Sequence, residues 1–411
     1  MSATRALLVL LALLLAGCDS ETWWPRLRAR GGGGTTLDFT NQADADAALV
    51  YSRTGGDAYL QSGASALRKV VAGSGSLWED RGDSWGPGLW TWPAYTDDIV
   101  GQFDICGAGW TRQGTLSVVT NSSPAPYAAA SANKLVAASN ADGCFRAMAV
   151  GPPYRQGSIW IKDVAGSAPT SPGAWQINTT GVGQATNLLT GTTWRRISYA
   201  QNGGFAAIYV AGKQPTHPLF ELGDNRGGAT STPASGSIYA WGAHSTIGDV
   251  PLVDKSTGIT DVHLAAGPLA QVISPIGDLD IELVVENVFL NYDFVDNTRD
   301  AYLFSATSPD GPMSLRYKGT TGEWKFAIRG ADVLTATQWG PGPQFADMKV
   351  RVTYKPSDGT ASLTFWMAGS DQMISDATGK TTGGALQPLT NFWLGSNGGT
   401  SSGYAGRWRS L

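Results

Sequence analysis

The chain has 411 residues and a formal net charge of −4, and 15% of its residues are charged. Its 53 Gly exclude a largely helical protein, and its 16 Trp exclude a disordered one. The only basic cluster, Arg26, Arg28 and Arg30, is too small for a phosphate-binding surface, so no nucleic-acid partner is expected. This composition predicts many short strands joined by tight turns.

Residues 1–17 have the features of a secretory signal peptide. Arg5 precedes an apolar run over residues 6–16, which is long enough for a signal-peptide core and too short to span a bilayer. The run ends in Leu-Ala-Gly-Cys18, which resembles the lipobox of bacterial lipoproteins. The resemblance implies that Cys18 is lipidated and anchors the chain to a membrane. The alternative is an ordinary signal peptide with an incidental Cys18.

Residues 18–36 are Gly-rich and predict a flexible tether.

Two cysteines remain after the lipobox. In an oxidising compartment Cys106 and Cys144 most simply form a disulfide, and two buried free thiols are the alternative.

Beyond the tether, short runs of alternating apolar and polar residues recur, with Gly, Pro, Asp or Ser close to most of them. Such runs are typical of antiparallel sheets. We therefore expect an all-β protein with two antiparallel β-sandwich (jelly-roll) domains in series, separated near residues 256–268. The clearest runs are residues 157–162, 194–199, 237–241, 278–285, 324–329, 348–354 and 361–367.

Two segments of the first half resemble parts of known families. Residues 37–105 resemble the leader of bacteriophage tail-fibre and adhesin-like proteins, through Leu37-Asp38-Phe39, residues 52–59 and residues 88–99. Residues 106–258 resemble a carbohydrate-binding-module-like jelly roll. The matching pieces there are residues 158–162, 193–198 and 238–244.

Residues 262–411 resemble a laminin-G/concanavalin A-like lectin sandwich. Three parts carry the match in the order that the fold requires: residues 277–282, the hairpin of residues 348–369, and residues 392–407. Together with the first half, this resemblance implies a surface protein that binds a glycan or polysaccharide.

The strand that contains Asp278, Asp280 and Glu282 offers the one catalytic hypothesis. Residues two apart on a strand project from the same face, and retaining glycosidases of the laminarinase type carry paired carboxylates on such a strand. Here the first position is an Asp, which is one methylene shorter than the usual Glu nucleophile. We therefore favour a solvated outer face over an active site and expect no enzyme activity, with a glycoside hydrolase or lyase as the alternative.

No cofactor is required by any motif. The acidic segment with Asp293, Asp296, Asn297 and Asp300 could supply oxygen ligands to Ca²⁺, and a solvated acidic loop is the favoured alternative. The three His, at positions 217, 244 and 263, do not have the spacing of a metal site.

Tryptophan offers the best signal for a ligand, because exposed aromatic rings stack on the apolar faces of sugars. Strand alternation places Trp324 in the core with Phe326 and Ile328. In the hairpin it places Leu363, Phe365 and Met367 inside. The same rule puts a candidate sugar-binding set outside: Trp366, Arg351, Thr353 and Thr364. Trp85, Trp90 and Trp92 are predicted either as a docking surface or as a packed segment.

The sequence thus predicts a non-catalytic carbohydrate-binding or adhesion protein, lipid-anchored at the outer membrane or cell surface. Two alternatives remain. One is a structural fibre or spike of a virion, which could be a homotrimer, and the other is an endo-glycosidase that uses Asp278, Asp280 and Glu282.

Overall fold

The computed structural model describes residues 37–73, 75–92, 95–96, 102–138, 142–147, 154–166, 176–178, 186–187, 191–202, 219–223, 236–246, 250–254, 256–287, 300–318, 320–337, 347–368, 373–398, 404 and 406–411. The predicted signal peptide, Cys18 and the tether lie outside these residues. Two short helices occur in the described part, at Gln42–Ala48 and Ala266–Leu269, and neither has the length and apolar character needed to cross a bilayer.

All other regular structure in the described residues is β, as predicted. The strands are β1 Leu49–Gly55, β2 Ala58–Gln61, β3 Leu67–Val70, β4 Trp78–Glu79, β5 Gly88–Thr91, β6 Tyr95–Thr96, β7 Thr111–Gln113, β8 Ser117–Pro124, β9 Ser131–Ala137, β10 Gly143–Ala147, β11 Tyr154–Asp163, β12 Gln176–Asn178, β13 Thr186–Asn187, β14 Arg195–Asn202, β15 Leu219–Gly223, β16 Gly236–Thr246, β17 Leu252–Val253, β18 Ser256–Leu264, β19 Leu279–Asn287, β20 Asp300–Ser308, β21 Gly311–Lys318, β22 Glu323–Ile328, β23 Ala331–Thr337, β24 Met348–Lys355, β25 Thr360–Met367, β26 Met373–Lys380, β27 Asn391–Leu394 and β28 Gly406–Ser410.

Two antiparallel sheets form a C-terminal sandwich. One has eight strands in the order β1-β18-β27-β20-β21-β22-β23, with β6 also paired to β18, and the other has seven in the order β26-β25-β24-β19-β28-β5-β4. Their inner faces share one hydrophobic core, in which the ring of Trp324 lies 5.3 Å from that of Phe365. Trp324 is buried, as predicted. Burial of one face of the seven-stranded sheet explains the alternation of buried and less buried residues in β24 and β25.

Strands from residues 37–105 belong to both of these sheets. β1 pairs with β18 along its length, and β5 pairs with β28 so that Leu89 lies opposite Trp408. β18 also lies within residues 256–268, where the sequence predicted a boundary. Trp85, Trp90 and Trp92 are buried. Of the two predictions for these residues, the packed segment is therefore correct and the docking surface is not.

A second sandwich, here called the middle sandwich, comes from the chain between β6 and β17. Its two five-stranded sheets have the orders β13-β12-β15-β10-β7 and β14-β11-β16-β9-β8. A separate core lies between them, to which Cys106, Cys144 and Ile159 belong. Cys106 and Cys144 are joined by a disulfide that connects the segment before β7 to β10. The all-β fold with antiparallel sandwiches is therefore confirmed.

A small sheet of three strands, β17-β2-β3, packs against the outer surface of the middle sandwich. Tyr59 of β2 and Leu252 of β17 share a third hydrophobic cluster with Trp160 and Trp241 of the middle sandwich. This contact places residues of the predicted leader beside β8, β9 and β16.

Candidate functional site

The hairpin β24–β25 presents the predicted ligand-binding residues on the outer face of the seven-stranded sheet. Its turn follows from the sequence: Gly359 has a φ of 71°, and the Asp358 carboxylate accepts a hydrogen bond of 2.9 Å from the Thr360 backbone N–H. The tight turn sets the strand register, in which Lys349 lies opposite Trp366 and Arg351 opposite Thr364.

Alternation along the hairpin is largely as predicted. The side chains expected inside are buried at five positions, Val350, Val352, Tyr354, Leu363 and Phe365. Met367 is the exception: it is 37% exposed, because it is the last residue of β25. The prediction that Met367 packs inside was therefore wrong.

We call the outer side chains of β24 and β25 the open face. Its members are Lys349, Arg351, Thr353, Ser362, Thr364 and Trp366, so all four predicted residues share it. Trp366 is partly exposed, and the Lys349 ammonium lies 4.6 Å from its ring centroid. Lys349 therefore already makes a cation–π contact with one side of the ring. The hydroxyls of Thr353 and Ser362 are 2.5 Å apart.

Arg351 pairs with an acidic residue of the neighbouring strand. Its Nε and Nη2 donate to the two carboxylate oxygens of Asp280 at 2.8 and 2.6 Å. This hydrogen bonding raises the pKa of Arg351, and the bidentate geometry fixes the guanidinium plane. Two of the predicted groups are thus already engaged with each other.

The acidic strand does not have the arrangement that the catalytic hypothesis required. β19 begins at Leu279, so Asp278 lies one residue before the strand and is not part of the ladder. Asp280 accepts two hydrogen bonds from Arg351. Glu282 is half-buried, and burial raises its pKa while Lys349 and Arg351 oppose the shift. The expectation of three carboxylates on one strand face is corrected to two.

Three of the four predicted calcium ligands lie outside the described residues. Asp293, Asp296 and Asn297 lie outside them, as does His217, and Asp300 forms an ion pair with Arg316 at 3.2 Å. No group of three metal-ligating side chains occurs in the part of the chain that the structure describes. His244 lies 3.5 Å from the Ser158 hydroxyl, but both side chains are buried, so this pair has the surroundings of a core contact.

At its other end the same outer face is covered. We call this part the covered face; it comprises Glu79, Trp90, Glu286 and Arg407, with Arg81 and Asp83 from the loop after β4. Arg407 is fully buried and donates to Asp83 at 2.7 Å and to Glu286 at 2.8 Å. Arg81 lies 4.6 Å from the Trp90 ring centroid. Arg81 and Asp83 of the loop after β4 thus both contact the outer face of the sheet.

Sequence reasoning missed a second group of aromatic residues, at the contact between β2 and the middle sandwich. Tyr59, Phe103, Tyr127 and Trp241 line a cleft of about 590 Å³ there. Each of them comes from a different segment, and each fits the pattern of an ordinary core residue. No local signal in the sequence could have grouped them.

No family model matches the chain, and no curated protein matches it. Solved structures with some similarity include the tandem CBM22-1-CBM22-2 domain of Xyn10C from Paenibacillus barcinonensis, at 10% identity over 78% of this chain and 97% of that chain, with a TM-score of 0.26. Another is a mutant of HCR/D, at 8% identity over 78% and 96% of the two chains, with a TM-score of 0.20. The receptor-binding domain of botulinum neurotoxin C/D mosaic serotype has 8% identity over 89% and 97%, with a TM-score of 0.20. Values this low transfer no function.

Proposed function

We propose that the protein is a non-catalytic carbohydrate-binding or adhesion protein. The observation that carries this proposal is the open face, where a partly exposed Trp366 lies among hydroxyl and guanidinium groups on a rigid sheet. Sugars bind to such surfaces through an aromatic ring that contacts C–H groups and through polar neighbours that bond the hydroxyls. Strands hold these groups more firmly than loops would.

The acidic strand supports a binding role over a catalytic one. A retaining glycosidase needs two carboxylates that flank the scissile bond, one of them as the nucleophile. Asp278, at the nucleophile position, lies outside the strand, and Asp280 accepts two hydrogen bonds from Arg351. The hydroxyls of Thr353 and Thr364 lie near the Arg351 guanidinium, whose orientation is fixed by Asp280. A planar guanidinium of this kind is suited to hydrogen-bonding the hydroxyls of a sugar.

Trp366→Ala tests the open face directly. We expect the wild-type chain to bind at least one polysaccharide on a glycan array, and the variant to bind it at least about tenfold more weakly because the aromatic contact is lost. Trp366→Phe should retain most of the affinity, and Ser357→Ala, on the exposed hairpin turn, is the matched control. Absence of binding to every glycan would overturn the proposal.

An activity assay distinguishes the enzyme alternative. Release of reducing ends from β-glucans by the wild type, lost in Glu282→Gln, would establish an endo-glycosidase instead. We expect no release, because Asp280 is paired and Asp278 lies outside the strand.

We further propose that the protein is secreted and lipid-anchored through Cys18. The basis is the lipobox-like sequence, since these residues lie outside the described structure. Mass spectrometry of the native N-terminus should find a diacylated Cys18. An intact Met1 in purified phage particles would instead support a virion component.

A further inference from the structure

The cleft lined by Tyr59, Phe103, Tyr127 and Trp241 is formed by aromatic rings that contact one another, which the open face lacks. Tyr59 lies at its centre, with ring centroids 5.3 Å from Phe103, 5.6 Å from Tyr127 and 5.5 Å from Trp241, each in an edge-to-face arrangement. Phe103 and Trp241 are also in contact, with centroids 5.0 Å apart. Edge-to-face packing of this kind fixes ring orientation without using up every ring face.

Burial divides these rings into a floor and a rim. Trp241 is 1% exposed and Tyr59 is 9% exposed, whereas Phe103 and Tyr127 are only partly buried. A ligand in the cleft would therefore meet the rings of Phe103 and Tyr127 first. The volume of about 590 Å³ lies within the roughly 300–1,000 Å³ typical of sites for small ligands.

The polar groups of the cleft show which ligands it can accept. Among the described residues that line it, Asp104 is the one carboxylate and none is Lys, Arg or His. The Asp104 oxygens accept hydrogen bonds from Asn133 Nδ2 at 2.8 Å and from the Ala108 backbone N–H at 2.9 Å. A carboxylate held in this way repels an acidic ligand.

Asn121 adds an independent observation. It is exposed, lines the cleft and has a φ of 52°, in the left-handed region that non-glycine residues seldom adopt. It lies at the irregular register between β8 and β9, and its backbone N–H donates to Asn133 Oδ1 at 3.3 Å. An amide side chain presented from such a position is suited to bond sugar hydroxyls.

Two backbone hydrogen bonds hold the segment that carries Tyr127. The Leu67 backbone N–H, on β3, donates to the Pro126 carbonyl at 3.1 Å, immediately before Tyr127. Within this segment, the Ala130 backbone N–H donates to the Tyr127 carbonyl at 2.9 Å and closes the turn of residues 127–130. The cleft is therefore preformed, so binding of a ligand would cost little conformational entropy.

We infer that this cleft is a second carbohydrate site, specific for an uncharged pyranose segment whose C–H faces contact Tyr127 and Phe103. The inference shares its ligand class with the proposed function but rests on a different surface. It disfavours uronate-containing and sialylated segments as ligands of the cleft, because Asp104 repels them.

The test uses the secreted chain on an array of neutral and uronate-containing oligosaccharides, followed by calorimetry with the strongest neutral hit. We expect neutral sugars to bind, and Tyr127→Ala to weaken that binding at least about tenfold. Tyr127→Phe keeps the ring and should stay within about threefold of wild type. Equal binding of uronate oligosaccharides through the cleft, or unchanged binding by Tyr127→Ala, would overturn the inference.

A second variant covers the case in which Tyr127→Ala does not fold. Ala129 is exposed and lines the cleft, so Ala129→Leu should narrow the entry with a non-aromatic side chain and without removing a core contact. Neutral-sugar binding that is unchanged in Ala129→Leu contradicts the inference.

The two surfaces can fail separately. If Trp366→Ala abolishes neutral-sugar binding and the Tyr127 and Ala129 variants do not, the cleft inference is wrong and the proposal for the open face stands. If the reverse holds, the cleft is the site and the open face is not.

Discussion

The outer surface of the seven-stranded sheet has two parts that carry similar ion pairs in opposite surroundings. On the covered face, the side chain of Arg407 is 0% exposed and bridges Asp83 and Glu286. On the open face, the side chain of Arg351 is 45% exposed and that of its partner Asp280 is 54% exposed. The difference comes from the loop after β4, which contacts only the first of these parts.

The surroundings decide what each pair contributes. An exposed pair is screened by water and contributes about 0–1 kcal/mol. A buried pair costs desolvation when it forms, and removal of one partner leaves an uncompensated charge that costs about 3–5 kcal/mol. The covered face therefore ties residues 79–91 to the C-terminal strand, whereas the side chains of the open face remain in contact with solvent.

Arg407→Met gives the largest expected effect and tests this comparison. Above about pH 7, where Glu286 is ionised, the free energy of unfolding should fall by about 3–5 kcal/mol, because Glu286 and Asp83 lose the cation between them. Arg351→Met is the matched control, with an expected loss of at most about 1 kcal/mol. Urea unfolding followed by circular dichroism measures both. Losses of similar size in the two variants would contradict the comparison.

The open face could be predicted because strand alternation has a period of two and one side of the sheet is buried. That rule correctly placed Val350, Val352 and Phe365 inside and Arg351 outside. It was wrong for Met367, where the strand ends and the core no longer covers the inner side. It also could not show that Lys349 lies over the ring of Trp366, since cross-strand register depends on the turn.

The covered face and the cleft could not be predicted, because both depend on pairings between distant segments. Leu89 lies opposite Trp408, and Tyr59 meets Trp241, although nothing in either local sequence specifies the partner. The sequence left Trp90 open between a docking surface and a packed segment. It is buried because Arg407 lies opposite it in the ladder and Arg81 lies over its ring.

Glu286 gives the smaller test of the same comparison, through the dependence of stability on pH. Burial raises the pKa of Glu286 to about 7, and Arg407 opposes the shift. Burial prevails although Arg407 and Arg81 both lower the pKa of Glu286.

The sign follows from proton linkage. Between about pH 4.5 and pH 7 the folded chain keeps a proton on Glu286 that the unfolded chain has released. This contribution to stability is complete below about pH 4.5 and is lost as the pH rises through about 7. Its size is on the order of 3 kcal/mol.

Glu286→Gln removes the titrating group, so its free energy of unfolding should lack this decrease. Urea unfolding at a series of pH values from 4 to about 8 compares the two chains, and the other carboxylates cancel in the difference. The difference between wild type and variant should change steadily across this window, to the disadvantage of the wild type as the pH rises. Parallel curves would mean that Arg407 keeps Glu286 ionised throughout, and that the covered face differs from the open face in burial alone and not in protonation.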